Sequence, residues 1–219
     1  MPFSTSEENY IKEIYHLQNL HGKVSTNHLS AAMNTKPASV TDMLKKLQTK
    51  KIVNYKPYRE FDLTEEGNRA ALYLIRKHRL WEYFLVHTLG FSWEQVHDVA
   101  EQLEHIKSKE LVDKLDSFLG RPDFDPHGDP IPDDHGRMKK RKQASLGNLP
   151  LKKTLTVSAI KNQSPEMLSM LDHYSIGIGT RLRVNRFFDF DNSVEVKIGN
   201  KTPIILSSRI ADHIYCLYE

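Results

Sequence analysis

Between His78 and His105 the chain carries seven side chains able to hold a divalent metal ion: His78, Glu82, His97, Asp98, Glu101, Glu104 and His105. Six of them fall at helical spacing. His78 and Glu82 are four apart, Glu101 stands three and four residues before Glu104 and His105, and His97 lies one turn before Glu101. Residues three or four apart share a helix face, so each set can converge on one point. Imidazole plus carboxylate, with no thiolate, suits a borderline-to-hard divalent ion. A lone His–Glu pair at this spacing is ordinarily a surface contact. The density here argues for ligation, because buried carboxylates are costly unless paired or metal-bound and few lysines stand nearby. Asp98 reads as exposed or supporting. His16, His21, His28, His87, His127, His135, His173 and His213 have no matching spacing and read as ordinary.

Helices must carry these groups. Thr64 is placed to cap one that runs to about Leu89 and stops at Gly90. Ser92-Trp93-Glu94-Gln95 has the pattern of a capping box opening a second, to about Ile106, and a third covers about residues 109–119. Their apolar faces (Leu72, Leu74, Ile75, Leu80, Phe84, Leu85) predict a homodimer interface. Upstream, Tyr10, Ile11, Ile14, Tyr15 and Leu17 predict a helix over 7–21, with Thr5 or Ser6 as its cap.

Two short helices follow, about 26–33 and 37–50, joined at Asn34-Thr35-Lys36. Strands at 52–55 and 60–63 flank Lys56-Pro57-Tyr58-Arg59. Helix, turn, helix and hairpin in this order predict a winged helix whose second helix reads a DNA major groove. Its readers would be Lys36, Ala38, Ser39 and Thr41. Lys45 and Lys46 on the helix, with Lys56 and Arg59 on the wing, would meet phosphates. Asp42 is repulsive near DNA unless it accepts from a cytosine amino group.

The charge is uneven. Residues 36–59 hold seven basic residues against Asp42 alone, whereas 65–132 hold 13 acidic and 8 basic. The net charge of +3 therefore hides a polyanion site next to a cation site. No apolar run is long enough for a membrane span, the N-terminus lacks a signal-peptide pattern, and the single cysteine, Cys216, fits a reducing cytosol. A cytoplasmic protein without a membrane partner is expected.

Residues 120–135 are rich in proline and aspartate and predict irregular structure. Beyond them, Thr154–Ile160, a short helix from Ser164 to about Tyr174, and strands at 181–188, 193–198, 203–206 and 214–217 predict a small barrel. The fold class is mostly α with small β. The expected domains are a winged helix at 1–64, a helical metal-binding and dimerisation domain at 65–135, a linker at 136–150 and a β-barrel at 151–219.

With HRLWE, VHDVAEQLEH and DPHGDPIP following a winged helix, the chain resembles the diphtheria-toxin-repressor family of metal-dependent transcriptional regulators, in particular its manganese-sensing branch. The resemblance covers about residues 4–219 and implies an SH3-like, FeoA-like C-terminal domain. It implies a primary metal site of Glu101, Glu104 and His105 with a residue from the first helix. It also implies an ancillary site of His78, Glu82 and His97, completed by Gln163 and Glu166. Iron sensors of the family carry cysteine where Glu101 stands, so the hard oxygen donor favours Mn2+ over softer ions, with Fe2+ as the alternative; Zn2+, Co2+ or Ni2+ would substitute in vitro. Asn9 stands where the family has methionine or aspartate and can ligate through its carbonyl. Lys12 stands where the manganese branch often has glutamate and cannot ligate while charged.

The function these features imply is a metal-dependent DNA-binding regulator, a homodimeric repressor of metal-uptake genes acting on a double-stranded operator, with no small-molecule substrate. One alternative is a DNA-binding regulator whose metal is structural and whose signal is another. The other is a metallohydrolase, against which stands the lack of any zincin motif or nucleophile elbow; the chain reads as no enzyme.

Overall fold

The computed structural model describes residues 3–151 and 153–218. It divides into two compact units. The first comprises the chain up to His78 with Glu101–Val112 and Pro132–Arg137; the second comprises Arg79–Ala100, Asp113–Ile131 and the chain from Met138 onward.

In the first unit, helix α1 spans Thr5–His21 and is capped by Ser4, one residue earlier than expected. Ser4 and Glu7 form a reciprocal capping box. Thr5 has a glutamate at the same offset, Glu8, but that carboxylate is bonded to His105 at 2.6 Å, which leaves Glu7 to close the box. Helices α2 (Thr26–Ala32) and α3 (Pro37–Thr49) follow, then a hairpin of β1 (Val53–Asn54) and β2 (Asp62–Leu63). The hairpin strands are shorter than predicted because the backbone turns at Pro57-Tyr58, where Tyr58 has φ of +61°. Ile11, Ile14, Leu29, Val40, Leu44, Leu47 and Phe61 are wholly or almost wholly buried in one cluster, each such side chain contributing about 1.5–3 kcal/mol of transfer free energy.

Helix α4 spans Glu65–His87, and Thr64 caps it as expected, its Oγ1 accepting from the Gly67 N–H. A Cβ at Gly67 would lie 2.2 Å from the Ile52 carbonyl oxygen. Gly67→Ala is therefore expected to lower stability by about 3 kcal/mol through overpacking against backbone. Chemical denaturation of the full chain measures this, and a cost under about 1 kcal/mol would contradict the close approach. Leu74, Ile75, Leu80 and Leu85, expected at a dimer interface, are already buried within the chain.

Helix α5 spans Val96–Leu103 and α6 spans Lys109–Phe118. Ser92–Gln95 is a turn closed by Gln95 N–H to the Ser92 carbonyl, not the capping box of a helix. The Trp93 carbonyl meets Nε2 of His127 at 2.9 Å, which ties this residue to the 125–129 loop. α5 also ends earlier than predicted, leaving Glu104 and His105 in the turn after it.

The second unit holds a six-stranded antiparallel sheet in the order β3-β8-β4-β5-β6-β7. The strands are β3 (Gln143–Ser145), β4 (Thr154–Ile160), β5 (Arg181–Phe188), β6 (Ser193–Ile198), β7 (Ile204–Leu206) and β8 (Ile214–Leu217). Helices α7 (Pro165–His173) and α8 (Ser208–Ala211) complete it, and Ser164 caps α7 as expected. Strand β3 lies in the segment expected as a linker. Its alternation is too short to register as a strand, and pairing with β8 creates it. Leu146, Val157, Ile160, Leu168, Val184, Val196 and Cys216 share the core. Burial pushes the Cys216 thiol up to about 12. A thiol reagent at neutral pH is expected to leave native Cys216 unlabelled and to label it stoichiometrically in denaturant; rapid native labelling would contradict this burial.

Candidate metal centre and nucleic-acid interface

Two groups of metal-binding side chains each lie within a single unit. The first is built around Glu104, whose side chain is fully buried. Its Oε2 lies 2.6 Å from Nδ1 of His78. Its Oε1 accepts from the Lys12 ammonium at 2.6 Å, and the same ammonium reaches Glu101 Oε2, also at 2.6 Å. His78, Glu101 and Glu104 each present a ligand atom within 4.8 Å of the others. Burial would raise the pKa of Glu104, but the hydrogen bond from His78 and the charge of Lys12 outweigh it, and the carboxyl is held below its usual range. His105 faces Glu104 at 3.9 Å through Nε2, while its Nδ1 takes Glu8 at 2.6 Å. Lys77 is 3% exposed, and burial lowers its pKa against the opposing pull of Glu8 and Glu104.

A divalent cation fits these residues. Asn9 Oδ1 is buried without a hydrogen-bond partner, and an orphaned amide oxygen on α1 is what an additional oxygen donor would look like. Two carboxylates, imidazole and amide oxygen form a hard-to-borderline donor set. The unexpected participant is Lys12. Sequence reasoning rejected it as a ligand and missed it as the cation that the two carboxylates hold. Its offset of three from Asn9 on α1 was the available signal. Glu8 lies 2.6 Å from His105 and orients it, and sequence reasoning gave it no part in the site.

The second group is Glu82, Asp125 and His127, all buried, again with ligand atoms within 4.8 Å. His97, predicted beside Glu82, has Nδ1 3.4 Å from Glu82 Oε1 and a side chain 60% exposed. Burial, with the negative charges of Glu82 and Asp129, pushes the Asp125 carboxyl up to about 7. Burial acts upward on Asp129 too, but Arg79 and Lys161 hold it down. His127 was read as ordinary, and the structure corrects this. Two residues lie between Asp125 and Gly128, in a turn that projects no periodic face, so helical spacing could not find it; the DPHGDP motif was the signal. The completing residues expected from the C-terminal segment are not brought in. Gln163 donates its amide to Asp129 Oδ2 and to the Ile160 carbonyl, and Glu166 is exposed in the first turn of α7. Among the described residues Glu166 belongs to no carboxylate–histidine group.

On the winged helix, Lys36, Ala38, Ser39, Lys45, Lys46, Lys56 and Arg59 are exposed and Thr41 is half-buried. Thr41 Oγ1 donates to the Pro37 carbonyl, so its hydroxyl is partly engaged by its own helix. Asp42 pairs with Lys45 at 3.6 Å, which gives that acid a partner other than DNA. A groove between α3 and the wing is lined by Asn27, Pro37, Thr41, Lys45, Tyr58 and Arg59. Tyr58, fully exposed at the wing tip, and Asn27 were not singled out from the sequence.

Three stretches match known families: residues 2–61 the N-terminal DNA binding domain of the iron dependent repressors, 64–133 their metal binding and dimerisation domain, and 144–217 the FeoA domain. An HTH-type transcriptional regulator of Methanocaldococcus jannaschii is 36% identical over 117 residues, 53% of this chain and 94% of that protein. The iron-dependent repressor IdeR of Mycobacterium tuberculosis is 30% identical over 125 residues, 57% of this chain and 54% of that protein, so the chain spans about half the length of that relative. A solved manganese-dependent transcriptional repressor in complex with manganese is 34% identical, with a TM-score of 0.83 over 96% of this chain and 99% of that one.

Proposed function

The chain belongs to the iron dependent repressor family of metal-dependent, helix-turn-helix transcriptional regulators, and we propose that it binds a double-stranded operator as a homodimer when Mn2+, or Fe2+, is held at the Glu104 cluster. The residues that would hold the ion are Glu101, Glu104, His78 and Asn9, with His105 alongside. The metal-uptake genes of a cytoplasm whose metal supply must be matched to demand are the fitting targets. No helix among the described residues is long and apolar enough to cross a membrane.

The observation that carries this reading is the position of Glu104. It is fully buried and bonded through Lys12 to α1, and α1 packs Ile11 and Ile14 into the same core as Leu44 and Leu47 of α3. A change of cation at Glu104 is thus transmitted to the helix on which the DNA-reading helix rests. A bound divalent ion supplies positive charge that offsets the Glu101 and Glu104 carboxylates. With the ion bound, Lys12 would give up its two carboxylates, Asn9 would offer its orphaned oxygen to the cluster, and the Glu8–His105 bond would keep α1 docked. Lys36 and Ser39 are presented to bases, with Lys45, Lys46, Lys56 and Arg59 set against phosphates. Oxygen-rich ligation favours Mn2+ or Fe2+; Zn2+, Co2+ and Ni2+ are expected to substitute in vitro.

Linkage requires that metal and DNA tighten each other equally, and a coupling of about 1–3 kcal/mol gives a switch of roughly 5- to 150-fold. The test titrates metal-free protein with Mn2+, anaerobic Fe2+ and Zn2+ and follows retardation of a random duplex pool. Sequence-selected binding that appears only with metal is expected. Equal binding with and without metal would sink the reading and make Lys12 a sufficient internal cation.

A further inference from the structure

We propose that the Glu7–Lys50 ion pair relays metal occupancy from the Glu104 cluster to the DNA-reading helix α3, with Lys50 as the positioning residue. The relay deepens the proposed function and rests on it for the existence of metal-gated DNA binding.

It begins on two consecutive side chains. Glu7 and Glu8 both stand in the first turn of α1. Neighbours on a helix point about 100° apart, so one turn serves two partners. Glu8 takes His105 at 2.6 Å, and His105 faces Glu104 at 3.9 Å. Glu7 takes Lys50, whose ammonium lies 2.7 Å from Oε1 and 2.8 Å from Oε2. The turn between them is stiffened by the Ser4–Glu7 capping box and by the Glu8 N–H, which donates to the Ser4 carbonyl at 2.9 Å. A displacement of α1 at Glu8 is therefore a displacement at Lys50.

The pair is more than a surface contact. The Glu7 side chain is 10% exposed and that of Lys50 25%. The Phe3 ring lies under the ammonium, 5.4 Å from Nζ to its centroid, and Phe3 packs against the apolar cluster of this unit. A charge-assisted bond shielded in this way is directional and weakly screened by salt. The apolar core beneath α1 and α3 is non-directional. It holds the two helices together, and the ion pair adds a fixed point on α3.

That point is well placed to set the tilt of α3. Lys50 is the C-cap of the helix, its N–H donating to the Lys46 carbonyl at 3.2 Å. Lys36, Ala38 and Ser39 stand at the other end, and the 13 residues of α3 separate the two ends by about 20 Å. Recognition helices meet bases through their N-terminal residues, so a pivot at Lys50 swings the reading end through the widest arc. Lys45 and Lys46 are exposed and available to phosphates, whereas the Lys50 ammonium is already held by both oxygens of Glu7.

The test uses metal-free full-length protein. Wild-type protein with Mn2+ selects duplexes from a random pool. Affinity for a selected duplex is measured with and without Mn2+, and Mn2+ binding is measured by calorimetry without DNA. Lys50→Met is expected to keep the Mn2+ affinity of the free protein within about twofold while cutting the Mn2+-dependent gain in DNA affinity at least about fivefold. Lys50→Arg keeps a two-pronged pair with Glu7 and is expected to retain the gain. Glu7→Gln keeps an oxygen for the Ser4 N–H and loses the charge, so it should reproduce Lys50→Met; it decides the matter if Lys50→Met does not fold. Both substitutions together are expected to cost no more than either alone. Additive losses would mean independent roles, and an equal loss of DNA affinity with and without Mn2+ would make Lys50 a phosphate contact; either overturns the relay. If wild-type binding ignores Mn2+, the proposed function falls and the relay with it. Gating that persists undiminished in both single variants defeats the relay alone.

Discussion

Replacing Lys12 by methionine is expected to raise the affinity of the Glu104 cluster for Mn2+ by at least about tenfold while making the metal-free protein less stable by about 3 kcal/mol. Both effects have one cause. The ammonium sits 2.6 Å from Glu101 and Glu104 and is itself 13% exposed, so in the metal-free chain it is the cation that makes burial of Glu104 tolerable. Removing it leaves a carboxylate with no exposure facing His78 at 2.6 Å and His105 at 3.9 Å, and breaking one side of a buried pair typically costs about 3–5 kcal/mol. The same removal abolishes competition for the site. At an effective dielectric near 20, unit charges about 4 Å apart interact by about 4 kcal/mol, and each 1.4 kcal/mol is about a tenfold change in affinity. Calorimetric titration with Mn2+ and thermal unfolding without metal measure the two halves. If both stayed at wild-type values, Lys12 would be a surface lysine and the competition argument would fail. On the proposed function Lys12 is thereby expected to set the sensing threshold, because the ion would have to outcompete an ammonium already bonded to both carboxylates.

Glu104→Gln should weaken Mn2+ binding by more than about 100-fold, since it deletes the charge of the buried carboxylate that lies 2.6 Å from both Lys12 and His78. Loss of metal-stimulated DNA retardation is expected with it, while retardation driven by phosphate contacts alone at low salt is preserved. The isosteric amide keeps the shape of the site, so circular dichroism should stay near wild type. Glu101→Gln is expected to be milder, because Glu101 is 35% exposed and solvent already screens it. Equal effects of the two substitutions would mean that burial does not rank the ligands, and an unaffected metal response in Glu104→Gln would remove the cluster from the mechanism.

The elements that follow from period and punctuation were readable in the chain. Helices α1, α3 and α4 came from apolar spacing, the wing from two short β-rich runs around Pro57, and the Glu101–Glu104–His105 constellation from its three- and four-residue offsets. What eluded sequence reading depends on long-range partners. Strand β3 exists because β8 pairs with it. The late start of α5 follows from the tie between Trp93 and His127. Ser4 won the cap of α1 because Glu8 was committed to His105. Lys12 looked disqualifying as a ligand, yet its charge is what the site uses. His127 and Asp125 lie in a turn with no face to repeat, so a search by helical spacing passes over them. Glu166, picked by its offset, stands exposed in the first turn of α7.

The strand order β3-β8-β4 carries a consequence for how the chain is made. The last strand in sequence order occupies an interior place, hydrogen-bonded on both edges. During synthesis β4, β5 and β6 can zip together as neighbours, but the outer edge of β4 stands open, and β3 has nothing to pair with, until residues 214–217 leave the ribosome. Non-local closure of this kind is slow, and an unprotected strand edge invites pairing with another chain. Nascent chains stalled before residue 214 should therefore be the most prone to self-association, and a delay in translation there would do more harm than one anywhere earlier in the barrel.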